Sequence, residues 1–430
     1  MARILFLTEL LPYPLVSGAK IRAYYVLRHL AARHEVTLLS FVRPDDRPEH
    51  SAHLRTFLHE LHTVPMQRSW PRNVRAGLSS LLSGQPAIIA RENIGAMRHK
   101  VQELLASAPY DLIHADQIPM AQYGLLGRGS RAPVPVQGAG APVKRLLDQH
   151  NATFQIVERL AQHEPHWWTR LFLHREARAF SRYELDACRC FDHVTFVTAE
   201  DRQALQTLRI RGGSILRCDP SLDSATILSA DRTTIIPICI DAGAVRPVAP
   251  TPAPFRVTHV GTMNWPPNVE GLLWFWEQVW PQVRERAPGA RLTVIGKNPP
   301  DRIRALDRQA DVDVLGYVDD LAPYLADTAA FVIPLRAAGG MRVKILDAWS
   351  WGLPIVSTTI GAEGISYQDG DQILLADTPD LFGQAVQRLL ADEGLRARLR
   401  ANGRKWVEDR YDWRQVYGAW DQVYDHLLRP

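Results

Sequence analysis

Cysteine is scarce in this chain, with four among 430 residues. Cys188, Cys190, Cys218 and Cys239 lack paired metal-ligand spacing, which argues against a zinc module and against a disulfide scaffold. All four read as buried or free thiols of a reducing compartment. Long hydrophobic runs are missing too. No stretch of about 18 apolar residues occurs, so no membrane-spanning helix is expected. Neither sign of charge dominates, with 50 Lys and Arg against 46 Asp and Glu. No basic stripe interleaved with aromatic residues stands out, which speaks against a nucleic-acid partner. Tandem repeats and low-complexity tracts are absent, so solenoids and disordered arrays drop out.

A chain of 430 residues exceeds one compact core and predicts about two domains. Its apolar share of 46% and charged share of 22% are those of a globular protein. The net charge of +4 fits an anionic ligand or a membrane surface, and equally a slightly Arg-rich surface. Met1 to Leu11 places an arginine ahead of Ile-Leu-Phe-Leu, but Glu9, Pro12 and Pro14 interrupt the apolar run. It reads as the first strand of a sheet rather than a leader.

The most informative stretch is 329–365. Ala330 to Leu335 is a buried-strand pattern, Gly339-Gly340 opens a helical one, and Gly352-Leu-Pro ends it before a second strand, Ile355 to Thr358. Strand, glycine turn, helix and strand predict a parallel sheet. A glycine pair lets the backbone approach a ligand, and a helix start favours an anion there. Lys344 adds a cation one turn in, and Asp347, three residues on, shares its face and can accept bonds from a diol such as ribose. The pattern describes a nucleotide diphosphate site; an ordinary βαβ unit with a solvated Lys–Asp pair fits the spacing equally.

The spelling GGMRVKILDA followed by GLPIVST resembles the donor-binding segment of retaining GT-B glycosyltransferases of family 4. Two departures stand out. Asp347 replaces the second glutamate of the family signature, and Gly339 occupies the place of the first, which in the family contacts the donor sugar. Gly340, Met341 and Arg342 would complete the donor side with Lys344 and Asp347.

The resemblance extends along the chain. Arg3 to Thr8, the loop 12–20, a helix over Ile21 to Ala32 and a strand over Glu35 to Phe41 form a βαβ opening that does not fit GxGxxG. The loop is similar to the family's first loop; Gly18 matches a donor-side glycine, Ala19 replaces the second, and Lys20 falls on the acceptor side. A strand over Asp111 to Asp116 ends in polar residues where open parallel sheets bind ligands. The family carries histidine there, so the resemblance marks His114 and Asp116, with Lys344, as catalytic candidates. Leu146 to Asn151 resembles a "D-x-HN" strand end and places His150 and Asn151 on the acceptor side. Phe154 to Arg189 reads as one long helical stretch, Thr234 to Ile240 as a strand, and Asn268 to Arg286 as a helix. Gly261, Thr262 and Asn264 take the place of the family's diphosphate turn, and Gly316, Tyr317 and Val318 that of its nucleobase strand end.

The resemblance implies α/β architecture of the GT-B type: two Rossmann-like domains facing across a cleft, with a C-terminal helix crossing back to the first. The expected divisions are an acceptor-side domain 1–240, a linker 241–254, a donor domain 255–410 and a closing helix 411–430. It implies a retaining transfer of sugar from a nucleotide-sugar co-substrate to a glycan, lipid-linked or small-molecule acceptor. No metal or other cofactor is expected, nor any nucleic acid. The setting is cytoplasmic, in polysaccharide or glycoconjugate assembly, with peripheral contact at the inner membrane face left open by the Arg-bearing helical patterns at 68–82 and 91–105. A binding protein that has lost turnover, and a sugar phosphorylase or epimerase on the same fold, are the alternatives.

Overall fold

The computed structural model describes residues 1–430 except 68–69, 128–141, 209–215, 217–227, 253–254, 264, 338 and 430. The chain divides into two compact units, Met1–Cys239 with Val416–Pro430, and Ile240–Gln415.

In the first unit the strands are β1 (Arg3–Thr8), β2 (Glu35–Val42), β3 (Glu60–Pro65), β4 (Leu112–Asp116), β5 (Lys144–Gln149), β6 (His193–Phe196) and β7 (Thr233–Ile235). They form one parallel sheet in the order β3-β2-β1-β4-β5-β6-β7. Continuous apolar runs such as Ile4 to Leu7 make that arrangement favourable, because both faces of a parallel sheet are covered by its crossover helices. The order reverses between β1 and β4, and the register puts Thr8 opposite Asp116 and Asp116 opposite Asp148. Three strand ends therefore finish level at the switch point, where such sheets hold ligands.

The second unit repeats the plan with β8 (Arg256–Val260), β9 (Arg291–Ile295), β10 (Val312–Gly316), β11 (Thr328–Ile333), β12 (Ile355–Ser357) and β13 (Leu374–Leu375). Its parallel order is β10-β9-β8-β11-β12-β13, reversing between β8 and β11. The core is mostly aliphatic, with an aromatic group of Trp274, Phe275, Trp280 and Phe382 within it. Trp349 is buried beside it, and its indole N–H donates to the Gln372 carbonyl at 3.0 Å.

Prolines account for several departures from the sequence reading. The stretch 154–189 is two helices, Thr153–His163 and Trp167–Cys190, parted at Glu164-Pro165, since the residue before proline disfavours the helical region. The stretch 268–286 is helical but carries a π turn, Phe275–Val279, between Pro266–Trp274 and Trp280–Arg286. Pro281 has no N–H to close the regular ladder there. The expected strand 234–240 joins the sheet only as far as Ile235, and Ile240 makes an isolated parallel bridge with Asp412. Pro237 cannot donate to a ladder, and Arg22 draws the carbonyls of Ile236 and Pro237 to itself at 2.7 and 3.0 Å.

The C-terminal helix Gly418–Leu428 packs in the first unit, burying Trp420, Val423, Tyr424 and Leu427. In the second, Arg404 donates to the carbonyls of Ala242, Val245 and Ser350, tying the residues after Ile240 to the helix Glu393–Tyr411. Cys188 and Cys239 are buried thiols outside any disulfide. Cys190 is disulfide-bonded, which corrects its reading as a thiol. Bridging depends on which sulfurs meet in three dimensions, not on their spacing along the chain. Cys218 lies outside the described residues.

Gly271 lies where the helix Pro266–Trp274 crosses the end of β11, and a Cβ there would collide with the carbonyl oxygen of Pro334. Gly271→Ala should destabilise the second unit by about 1–3 kcal/mol, read from the shift in its urea midpoint.

Candidate functional site

In the first unit the switch point is filled by buried charge. Arg22, on the helix Gly18–Ala31, is fully buried and grips Asp148 through Nε and Nη2, each at 2.7 Å. Thr195 donates to the same carboxylate at 2.7 Å, and Trp420 covers the guanidinium at 5.2 Å. His150 follows β5 directly; its Nε2 lies 2.9 Å from Asp116 and 3.4 Å from Asp148. Burial works against the imidazolium, but the two aspartates together raise His150 to about 9. It is therefore a cation at neutral pH, barely exposed at a strand end. Burial likewise opposes ionisation of Asp148, yet Arg22 and His150 hold its carboxyl far below the usual range.

His114 lies inside this cluster rather than at its mouth. Its ring stacks on Phe6 at 4.1 Å, meets Trp420, and pairs through Nδ1 with the Tyr424 hydroxyl at 2.6 Å. Burial pushes it down to about 3, so it is neutral. Asp116 ends β4, and the next residue, Gln117, holds a positive φ of 72°, a strained conformation for a non-glycine residue beside the cluster. Lys20 pairs with Asp46 at 3.5 Å, while Gly18 opens its helix behind an N-cap from Ser17. Asn151 gives its carbonyl to Gln149. The helix after Asn151 is held by Glu184, a buried carboxyl that accepts from the N–H groups of Thr153 and Phe154.

Ligand atoms of His114, Asp116 and Asp148 lie within 4.8 Å of one another, a spacing that a metal ion would accept. Asp148, however, gives both oxygens to Arg22, and Asp116 faces His150 and Gln117. The negative charge is already balanced by side chains, so the donor set does not fit a metal.

In the second unit Gly261 and Thr262 leave β8 at its switch point, and Lys344 reaches them from the helix Val343–Ser350. A Cβ on Gly261 would stand 2.6 Å from the Lys344 ammonium, so the cation lies directly over bare backbone. Asn268 links the two: its Nδ2 donates to the Thr262 carbonyl at 2.8 Å, and its Oδ1 accepts from Lys344 at 3.1 Å. Burial and the neighbouring Arg342 pull Lys344 down to about 7 despite Asp347. Burial lifts Asp347 to about 7 against the pull of Lys344. Lys344 is thus a desolvated lysine whose charge has little compensation nearby.

Gly340 takes a φ of 72°, which shapes the loop ahead of this helix; Met341 and Arg342 are buried, and Arg342 donates to the Gly339 carbonyl. Gly316, with φ of 67°, Tyr317 and Val318 lie at the end of β10, two strands away from β8. The exposed Tyr317 ring is 4.2 Å from the Lys297 ammonium. Asn264 lies outside the described residues.

Sequence reasoning missed Arg22, Asp148 and His259. Arg22 interrupts a mostly apolar run, which was the available signal for it, whereas Asp148 and His259 lie among other polar residues and carried none. His259, buried on β8, is pushed down to about 3 by burial and by Lys344. Its Nδ1 lies 3.1 Å from the Val332 carbonyl and donates to it.

Residues 254–392 match the family described as Glycosyl transferases group 1. The lipopolysaccharide core biosynthesis glycosyltransferase LpsE of Rhizobium meliloti (strain 1021) is 28% identical over 145 residues, 32% of this chain and 42% of that protein. The chain spans at most 44% of the length of the curated relatives it matches. Solved structures match along its whole length. Anabaena Alr3699/HepE in complex with UDP and glucose covers 98% of this chain and 99% of its own, with a TM-score of 0.65 at 13% identity. The sucrose-phosphate synthase of Thermosynechococcus elongatus covers 99% of each, with a TM-score of 0.66 at 18% identity. The chain has the GT-B fold and is related to the group 1 glycosyl transferases.

Removing one partner of the buried Arg22–Asp148 pair leaves an uncompensated charge. Asp148→Asn should cost about 3–5 kcal/mol in urea denaturation of the first unit and lower the His150 pKa, followed by NMR of the ring. His150 is raised from 6.5 to about 9, so its ionic contribution is complete below pH 6.5 and is lost as pH rises through about 9. The stability difference between wild type and His150→Gln should therefore shrink across that window; a flat difference would contradict the assignment.

Proposed function

We propose that the chain transfers a sugar from a nucleotide-sugar donor to a glycan, lipid-linked or small-molecule acceptor, with retention of anomeric configuration and without a metal ion. The observation that carries this reading is the Lys344 ammonium poised over the backbone of Gly261 and anchored by Asn268. In this reading the donor diphosphate lies against Gly261 and Thr262 and takes Lys344 as its main counter-charge. The amino end of the helix Val343–Ser350, which no side chain caps, adds its N–H groups. Asp347, three residues on, accepts from the ribose diol, and the nucleobase lies at Gly316 to Val318.

Transfer breaks the bond from the anomeric carbon to the diphosphate and forms one to an acceptor hydroxyl arriving on the same side. The acceptor proton passes to the departing phosphate oxygen. Stabilising the charge that develops on that oxygen is the largest contribution expected of the protein. In the first unit, Asp116 and His150 are the groups available at the strand ends. His150, as a cation, donates a hydrogen bond to a sugar hydroxyl or phosphate and does not act as a base. His114, enclosed by Phe6, Trp420 and Tyr424, acts as a positioning residue.

Binding without turnover is the second reading, motivated by Gly339 at the position where family 4 carries a glutamate. Its half-buried backbone offers a carbonyl to Arg342 but no carboxylate to a sugar.

Calorimetry with UDP, GDP, ADP and dTDP, with and without Mg²⁺, tests the donor site. One of them should bind without needing the metal, and silence from all four would overturn the reading. Lys344→Ala should lower kcat by about 10²–10³-fold, whereas Asp347→Ala should mainly raise the donor KM, by about tenfold. Binding that survives in the wild type with no product from any acceptor would favour the second reading.

The pH dependence has a defined sign. Lys344 is half neutral near pH 7, and a bound diphosphate favours its charged form, so binding above pH 7 should take up a proton. Affinity should fall as pH rises from 6.5 to about 8.5. Lys344→Arg, charged throughout, should lose the Lys344 share of that slope and keep the share from Asp347, which is also raised to about 7.

A further inference from the structure

The helix Trp70–Ser83 is inverted relative to an ordinary surface helix. Trp70, Val74, Leu78, Leu81 and Leu82 are all exposed, Trp70 at 77% and Leu82 at 90%. At about 100° per residue these five fall within an arc of about 120°. Among the described side chains of this helix the buried positions are Ala76 and Ser80, on the other side. The amino-terminal end of the helix Trp167–Cys190 repeats the pattern, exposing Trp167, Trp168, Leu171 and Phe172.

The two helices are joined. Arg175 donates to the hydroxyl and the carbonyl of Ser80, Ser80 lies 3.4 Å from Glu176, and Glu176 accepts from the Ala87 N–H at 2.7 Å. Nine large apolar side chains thus belong to one linked pair of helices in the first unit, more than scattered surface residues explain.

Charge identifies the occupant. Between 70 and 91 the chain has Arg72, Arg75 and Arg91 and no acidic residue. Between 166 and 178 its only acid, Glu176, is buried, while Arg170 and Arg178 are exposed. Three exposed tryptophans among aliphatic residues, edged by arginine and free of exposed carboxylates, match a bilayer interface. Indoles settle at headgroup depth, aliphatic side chains reach the acyl boundary, and guanidinium groups meet phosphates. No described helix is long and apolar enough to cross a membrane. We propose that the paired helices Trp70–Ser83 and Trp167–Cys190 form a docking face that lies on an anionic phospholipid bilayer. The helix Thr153–His163 begins just after His150 and Asn151 and ends shortly before this face, so docking would hold the first unit's strand-end cluster at a fixed distance from lipid.

The test is co-sedimentation of the full chain with vesicles of phosphatidylcholine alone and of phosphatidylcholine mixed with phosphatidylglycerol. The chain should pellet with the mixed vesicles and far less with the neutral ones. Leu81→Ser, Leu82→Ser, Trp167→Ser and Trp168→Ser combined should weaken partitioning at least about tenfold. Arg75→Glu with Arg170→Glu should weaken it at least about tenfold on mixed vesicles only. All six positions are exposed, and an unchanged urea midpoint and unchanged nucleoside diphosphate calorimetry would show the fold and second unit intact. The outcome is thus independent of the donor-site reading. No pelleting by wild type, or serine variants that pellet like wild type, would overturn the proposal. So would a lipid-free dimer in light scattering that the serine substitutions split, since a second copy would then cover the face.

Discussion

Parallel strand pairing is the constraint on which the rest depends. Each strand must be joined to the next by a crossover, and wherever the strand order reverses, neighbouring crossovers depart to opposite faces and leave a crevice. Both units have one such reversal, between β1 and β4 and between β8 and β11. At each, backbone and side-chain polar groups gather that the apolar sheet cannot take in. Both candidate sites lie at these two reversals.

The crevices are used differently. In the first unit the charged groups pair with one another. Arg22, Asp148, His150 and Asp116 form a chain of opposite charges with little exposure, and the C-terminal helix closes over it through Trp420 and Tyr424. Low local polarity makes each partner necessary to the next. In the second unit the polar groups are left under-compensated. Lys344 has a neutral amide as its nearest hydrogen-bond partner, and burial depresses its charge. One crevice pairs its charges internally; the other leaves a buried lysine beside a neutral amide.

Much of the second site was legible. Gly340, Lys344 and Asp347 fall at fixed offsets on a turn and one helix, and local geometry carries such spacing into space. The linkage through Asn268 was less so, because it depends on how the loop after β8 folds back on the helix Val343–Ser350. In the first unit the strand ends at Asp116 and His150 were readable from their apolar runs, but the partner that organises them was not. Arg22 lies 126 residues from Asp148, and nothing local to either announces the pair. His114 was legible as a polar strand residue; that it points into Phe6 and Tyr424 rather than toward solvent depends on which face the C-terminal helix covers.

The sequence by itself determined the α/β alternation, the two-unit plan, the glycine turns and the residues that line up on a single element, because these follow from backbone sterics and periodicity within a few residues. Proline placed the helix breaks, again locally. Tertiary structure alone decided which charges are compensated, which histidine is a cation and which is neutral, that Cys190 is bridged, and that the apolar side of Trp70–Ser83 faces outward. Those properties depend on desolvation and on partners brought from tens to hundreds of residues away, and local sequence carries no information about either.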